Sequence, residues 1–233
     1  MSGEVELLVL LIGSKISNKF RGYFRILNVD YEQDNKNDLF YKLNKSDSFD
    51  VNKNNLLSFI NDSFSKEYYL KNIICTAGGF EMNSISSPDI FNSYIKMFKM
   101  NSEPSILSSV VASKFLNKNG NLIFTGALST FKNPMPSMLS YSLAKNFVHS
   151  LNISLSQDQD FVLKNISTYC LLPGTIDTET NRNAMPDADK SQWLKPEGIA
   201  ENVFMVCQSA NKPTSGSFIE LFNVDGFVNM KII

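Results

Sequence analysis

Lys71-Asn72-Ile73-Ile74-Cys75-Thr76-Ala77-Gly78-Gly79-Phe80 decides how this chain folds. An apolar run of strand length stops at two glycines, where backbone can approach a ligand closely. Runs of the same kind recur at 5–12, 25–29, 39–43, 122–125, 166–172 and 217–222, and most are separated by segments of helix length. Several are apolar throughout, without the alternation of a half-exposed strand, as strands covered on both sides should be. Strand and helix in alternation predict an α/β fold: one Rossmann-like, doubly wound domain over residues 1–233, with a parallel sheet of about seven strands and helices on both faces. Asn119-Gly120 fits a helix stop before the strand at 122, and Pro196 fits the first turn of a helix running to about Gln208. Residues 31–55, rich in Asn, Asp and Lys, read as a surface excursion.

The bulk properties narrow the function classes. A chain of 233 residues with 43% apolar content can bury one sizeable core. A net charge of -1, with no block of Lys and Arg, argues against nucleic acid or an anionic membrane as the main partner. Cys75, Cys170 and Cys207 are widely spaced, with neither a disulfide framework nor a metal-ligand spacing, and read as buried free thiols. The apolar run ending at Ile12 is too short to span a bilayer and follows Glu4 and Glu6, so a soluble, cytoplasmic protein is expected. The single histidine, His149, reads as a solvated or hydrogen-bonded helix residue.

In a doubly wound sheet ligands bind beyond the carboxyl ends of the strands, so the loops after strands carry the chemistry. These loops are Ala77-Gly78-Gly79-Phe80, Thr125-Gly126-Ala127-Leu128-Ser129 and Pro173-Gly174-Thr175-Ile176-Asp177-Thr178; the last is a turn whose freed amides and hydroxyls suit an amide or phosphate. Asp30 ends the second strand, where a carboxylate can accept bonds from ribose hydroxyls. Soon after the strand at 122 comes Tyr141-Ser142-Leu143-Ala144-Lys145, a phenol and an ammonium four residues apart on one helical face. A nearby ammonium favours the phenolate and should draw the Tyr141 pKa down from about 10. The spacing alone is weak, since Tyr41 and Lys45 repeat it in what reads as an edge strand with a solvated face.

Taken together, the glycine loops, Asp30, Tyr141 and Lys145 resemble the short-chain dehydrogenase/reductase family across nearly the whole chain. That resemblance implies catalytic roles for Tyr141 and Lys145, and for Asn101 as a helix Asn that relays protons through water. It implies NADH as cofactor, with NADPH disfavoured by the carboxylate of Asp30, held by Gly13, Ser14, Asp30, Ala77, Gly78, Gly79, Tyr141, Lys145, Pro173, Gly174, Ile176 and Thr178. The run from Ile176 to Asp189 with Trp193, together with Ala77-Gly78-Gly79-Phe80 and 213–217, looks like the quinonoid dihydropteridine reductases. These also lack the Ser that most of the family places thirteen residues before the Tyr, a position held here by Leu128. A pterin substrate follows, with Phe80, Ala127, Met185 and Trp193 as its contacts. Family analogy further implies a homodimer through the helix of Tyr141, with Phe147, Val148, Leu151 and Leu155 as its apolar pattern.

One segment departs from the family. Gly13-Ser14-Lys15-Ile16-Ser17-Asn18 keeps only the first glycine of the Gly-x-Gly-x-x-Gly run that meets a pyrophosphate. Asp30 follows Asn18 by 12 residues, so the first helix should have lost one to two turns. Two alternatives therefore stand beside the pterin reading: a non-catalytic relative that keeps the fold, and a reductase of another substrate.

Overall fold

The computed structural model describes residues 7–12, 17–20, 23–32, 39–64, 69–133 and 135–233. Strands β1 (Leu7–Ile12), β2 (Arg25–Asp30), β3 (Leu39–Lys42), β4 (Tyr69–Cys75), β5 (Asn121–Thr125), β6 (Ser167–Pro173), β7 (Phe218–Val224) and β8 (Phe227–Ile232) form one sheet in the order 3-2-1-4-5-6-7-8. The first seven pair in parallel and β8 runs antiparallel to β7. Helices α1 (Phe49–Ser63), α2 (Ile90–Phe115), α3 (Leu128–Lys132), α4 (Leu139–Ser156), α5 (Gln159–Leu163), α6 (Glu179–Ala184) and α7 (Pro196–Gln208) join a 3-10 turn at Ser17–Phe20. The doubly wound α/β architecture and the seven expected strands are all present. The eighth strand was not expected: it returns through Asp225 and Gly226, both at positive φ (52° and 85°), the backbone of a two-residue hairpin turn.

Each face of the sheet has its own core. Leu56 and Ile60 of α1, Leu107 and Val111 of α2 and Val148 of α4 cover one face. On the other lie Ile199, Val203 and Val206 of α7 with Phe20 and Phe24. Strands buried on both sides need uninterrupted apolar sequence, which explains why 73–75 and 122–124 do not alternate.

Several local readings change. The 31–55 segment is no mere excursion, because Leu39–Lys42 pairs with β2 and α1 begins at Phe49 on its Ser48 cap. Helix α2 ends at Phe115, so Asn119-Gly120 turns the chain into β5 with Asn119 at φ 62° instead of stopping the helix. The apolar pattern read as a dimer face is core packing: Val148 is fully buried, and Phe147, Leu151 and Leu155 pack against the same cluster. Tyr41 and Lys45 do lie at the sheet's edge, with Lys45 paired to Glu32 at 3.0 Å. All three cysteines are buried and free, and no helix among the described residues is long and apolar enough to cross a membrane.

β8 is held from behind by α7. The Asn202 amide donates to the Val228 carbonyl at 2.8 Å, and a Cβ on Gly198 would lie 2.6 Å from Val228 Cγ2. Gly198→Ala should therefore cost about 1–3 kcal/mol in urea unfolding through overpacking. Val228→Ala in the same chain should recover part of that loss, and a full, unrecovered loss would place the cause in α7 itself.

Candidate functional site

The sheet order reverses between β1 and β4, and the crevice at a switch point lies at the carboxyl ends of those strands. There the amides of Thr76 and Ala77 both donate to the Ile12 carbonyl, at 2.8 and 2.9 Å, carrying the chain leaving β4 across the end of β1. The next two residues are held by α2. Asn101, 1% exposed, accepts from the Gly79 amide at 3.2 Å and donates to the Gly79 carbonyl at 3.0 Å and the Met97 carbonyl at 2.9 Å. Glycine fits closely here: a Cβ on Gly78 would stand 2.8 Å from Asn101 Oδ1 and 3.2 Å from Lys145 Nζ, and one on Gly79 would have to push aside the end of the Met100 side chain. These contacts bring Gly78, Gly79, Asn101 and Lys145 to one place. Pro104 follows within the same helix and cannot supply the amide that Met100's carbonyl would otherwise receive.

Lys145 and Tyr141 lie one turn apart on α4. The ammonium, 4% exposed, donates to the Thr125 carbonyl at 2.8 Å and sits 5.9 Å from the centre of the Tyr141 ring. Phe80 meets that ring edge-on at 5.1 Å and 81°. Burial disfavours both charged forms: it pushes the Tyr141 phenol up to about 12 and Lys145 down to about 8. The shift of Tyr141 therefore runs opposite to the one expected: burial raises the phenol, and the Lys145 ammonium is directed to the Thr125 carbonyl. At neutral pH the pair is a protonated phenol beside an ammonium that releases its proton readily.

His149 is the residue the sequence reading undervalued. It is hydrogen-bonded, as one of the two readings held, but it is buried: 6% exposed, set edge-on between Phe131 and Phe218. Its Nε2 accepts the Ala127 amide at 3.3 Å while Nδ1 lies 3.2 Å from Asn146 Oδ1, which assigns the proton to Nδ1. A Cβ on Gly126 would be 2.5 Å from Nε2, so the Gly126-Ala127 loop is moulded onto this ring. The available signal was its position four residues after Lys145, on the same helical face.

The other expected site residues fall into two further groups. Asp30, which accepts the Tyr31 amide at 2.6 Å, and Ala77 line a narrow cavity of about 40 Å³ with Ile12, Val29, Tyr31 and Glu103. Lys99, which sequence proximity could not reveal, lines it too, and its charge lowers the pKa of Glu103 against the larger upward push of burial. After β6, Pro173, Gly174, Ile176 and Thr178 are bound into the protein. Gly174 donates to Leu221, Ile176 bridges to Leu194, and the Thr178 hydroxyl caps α6, so several amides expected to be free already have partners. Met185 ends α6 half-buried, while Trp193 is 7% exposed beneath Lys190, with its carbonyl accepting from Asn223. Gly13 and Ser14 lie outside the described residues.

Burial holds His149 neutral in the folded chain down to about pH 4, with the Lys145 charge adding to the effect. An unfolded His protonates near 6.5, so between 6.5 and 4 the unfolded state binds more protons and stability falls as pH falls. The contribution is on the order of 3 kcal/mol across that window. His149→Gln should flatten the acid limb of a stability-versus-pH curve measured by urea unfolding, and an unchanged limb would show that other groups set it.

Comparison with known proteins agrees with this architecture. The family model described as short chain dehydrogenase matches residues 22–189. A dihydropteridine reductase of Dictyostelium discoideum is 29% identical over 73% of this chain and 74% of its own length. A 3-oxoacyl-[acyl-carrier-protein] reductase of Chlamydia trachomatis is 24% identical over 76% of this chain and 73% of its own. Among solved structures, a short chain dehydrogenase family protein from Francisella tularensis superposes with a TM-score of 0.77 at 21% identity, covering 95% of this chain and 98% of that one. A 3-ketoacyl-(acyl-carrier-protein) reductase from Brucella melitensis, complexed with NADH, gives 0.72 at 14% identity over 96% and 100%. The family match spans more than half of the sequence and includes the ends of β2 to β6; the chain therefore belongs to the short chain dehydrogenase family.

Proposed function

We propose that this protein reduces a quinonoid dihydropteridine to the tetrahydropteridine with NADH as the reductant. The observation that carries this reading is the loop after β5. Where a ketone-reducing site would present a hydroxyl, Gly126-Ala127-Leu128 offers none, and the Ala127 amide is taken up by His149. A quinonoid pterin needs a hydride and a proton delivered to a conjugated ring, without carbonyl polarisation. The dihydropteridine reductase relative and the run from Ile176 to Trp193 support the same substrate.

The residues present suit a dinucleotide at both ends of the crevice. Asp30 would hold the adenosine ribose beside the apolar slot of Ile12, Val29 and Ala77, and Gly78 and Gly79, packed against Asn101, Lys145 and Met100, would lie beside the nicotinamide half. A bound nicotinamide supplies the hydride. Asp30 favours NADH because its charge would oppose a 2′-phosphate, whereas Lys45 is engaged by Glu32 and Lys99 faces Glu103. Tyr141, protonated through burial, is the proton donor, and Lys145, positioned by the Thr125 carbonyl, holds the nicotinamide ribose and steadies the phenol as its proton leaves. Asn101 fixes the Gly79 backbone and leads protons in from water. Phe80 shields the phenol and is the ring-stacking candidate; Ala127, Met185 and Trp193 complete the assigned substrate contacts, with Trp193 acting from beneath the surface. The active unit is a cytoplasmic homodimer in which the exposed Phe91, Tyr94 and Ile95 of α2 and Leu143 of α4 meet their counterparts.

A second reading rests on a specific observation. The family match begins at residue 22, after β1 and the glycine loop, as expected of a relative that has given up its cofactor. A third, reduction of another substrate, draws on the 3-oxoacyl reductase relatives.

Fluorescence titration and turnover separate the three. NADH should bind saturably and at least ten-fold more tightly than NADPH, and equal affinities would remove the role given to Asp30. Tyr141→Phe should lower turnover of a quinonoid dihydropteridine at least 100-fold while NADH affinity stays within two-fold. Absent NADH binding favours the non-catalytic relative, and turnover of ketones in preference to the pterin favours the third.

A further inference from the structure

At the opposite ends of the strands lies a cavity of about 540 Å³, lined by Asn119, Ser156, Asn165, Ser167, Lys212 and Ser215 among others. It touches the starts of β5 and β6 and the end of α4, whereas Tyr141 stands at the other end of that helix. The ammonium of Lys212 donates to the Asn119 carbonyl at 2.9 Å, and that of Lys71 donates to the same oxygen at 2.8 Å. Two like charges are thus held within about 6 Å, each at hydrogen-bond range of one neutral acceptor. Among the described residues no carboxylate pairs with either, and burial, with the Lys71 charge beside it, holds the Lys212 ammonium below the usual lysine range. The carbonyl itself is presented by a left-handed residue, Asn119 at φ 62°, braced by the amide of another, Asn165 at φ 51°, through a 2.7 Å bond to Asn119 Oδ1.

Lys212 in the lining and Lys71, which also lies 5.9 Å from the centre of the Tyr69 ring, share one neutral carbonyl beside a cavity whose walls include hydroxyls and amides, an arrangement that an anion would complete. We propose that this cavity, at Lys212 and Lys71, is a binding site for a small phosphate-bearing molecule, separate from the Tyr141–Lys145 crevice. One phosphate group would accept from the free N–H bonds of Lys212, with Lys71 adding charge from behind Asn119 and the serines and Asn165 meeting neighbouring hydroxyls. The cavity exceeds what inorganic phosphate fills, so a sugar phosphate should bind more tightly than phosphate alone.

The test uses the full chain at fixed ionic strength. Inorganic phosphate and glucose 6-phosphate are titrated by calorimetry against wild type, Lys212→Ala and Lys71→Gln, with NADH titrated in parallel. Expected are saturable binding, tighter for the sugar phosphate, and at least ten-fold weakening in Lys212→Ala, with NADH affinity within two-fold of wild type. If the variants fail to fold, wild type still answers: bound phosphate should slow acetylation of Lys212 and Lys71, read by mass spectrometry, relative to Lys53. Equal phosphate binding in wild type and Lys212→Ala, no saturable binding, or no protection of Lys212 would each overturn the proposal. None of these results depends on whether the protein reduces a pterin.

Discussion

Two hydrogen bonds to one oxygen organise this molecule. The Ile12 carbonyl receives the amides of Thr76 and Ala77, and in doing so joins the ends of β1 and β4 where the sheet reverses direction. Without that junction the chain leaving β4 would run outward and Gly78-Gly79 would not lie over α2. With it, Asn101 can clamp Gly79 from both sides, and Gly78 is left against Lys145 with no room for a side chain. A buried carbonyl needs a donor, and two donors here convert an ordinary strand end into the floor of a crevice.

Burial then decides the electrostatics. An ammonium that is 4% exposed needs compensating partners, and the nearest found is a carbonyl, whose dipole offsets a charge less completely than a carboxylate. Lys145 accordingly drops to about 8, and Tyr141 rises to about 12 for the same reason. His149, one further turn along the same helix face, answers the same pressure by staying neutral and using its lone pair on the Ala127 amide. The three groups share one property: the protein keeps each in its uncharged or readily discharged form, which suits chemistry that moves protons through a dry site.

The sheet was legible in the sequence because its strands are covered on both faces and the apolar runs are uninterrupted; β4 and β5 could be placed within two residues on that ground. Pro196 likewise marked the start of α7, since a residue without an amide donor is tolerated there. β8 was missed because its side chains are largely exposed and carry no burial pattern, although Asp225-Gly226 announced the turn. In the site, Tyr141, Lys145 and Asn101 could be named from spacing and resemblance, and the structure brings Asn101 and Lys145 together over Gly78. The direction of the Tyr141 shift could not be read, because it depends on burial and on where Lys145 Nζ points, neither of which is local in sequence. The same holds for Lys99, brought to the cavity of Asp30 by a helix that starts far from that residue in the chain.

In the described part of the first crossover, aromatic side chains cover the sheet. Between β1 and β2 the described structure holds only a 3-10 turn at Ser17–Phe20, too short to build a macrodipole comparable with that of a full helix. The apolar faces of β1 and β2 still need cover, and aromatic residues provide it: Phe20 and Tyr23 stack on Phe204 of α7 at 5.6 and 4.9 Å, with Phe24 at 6.3 Å. Phe20 and Phe24, both buried, thus close this end of the second core, while Tyr23 stays exposed over Phe204.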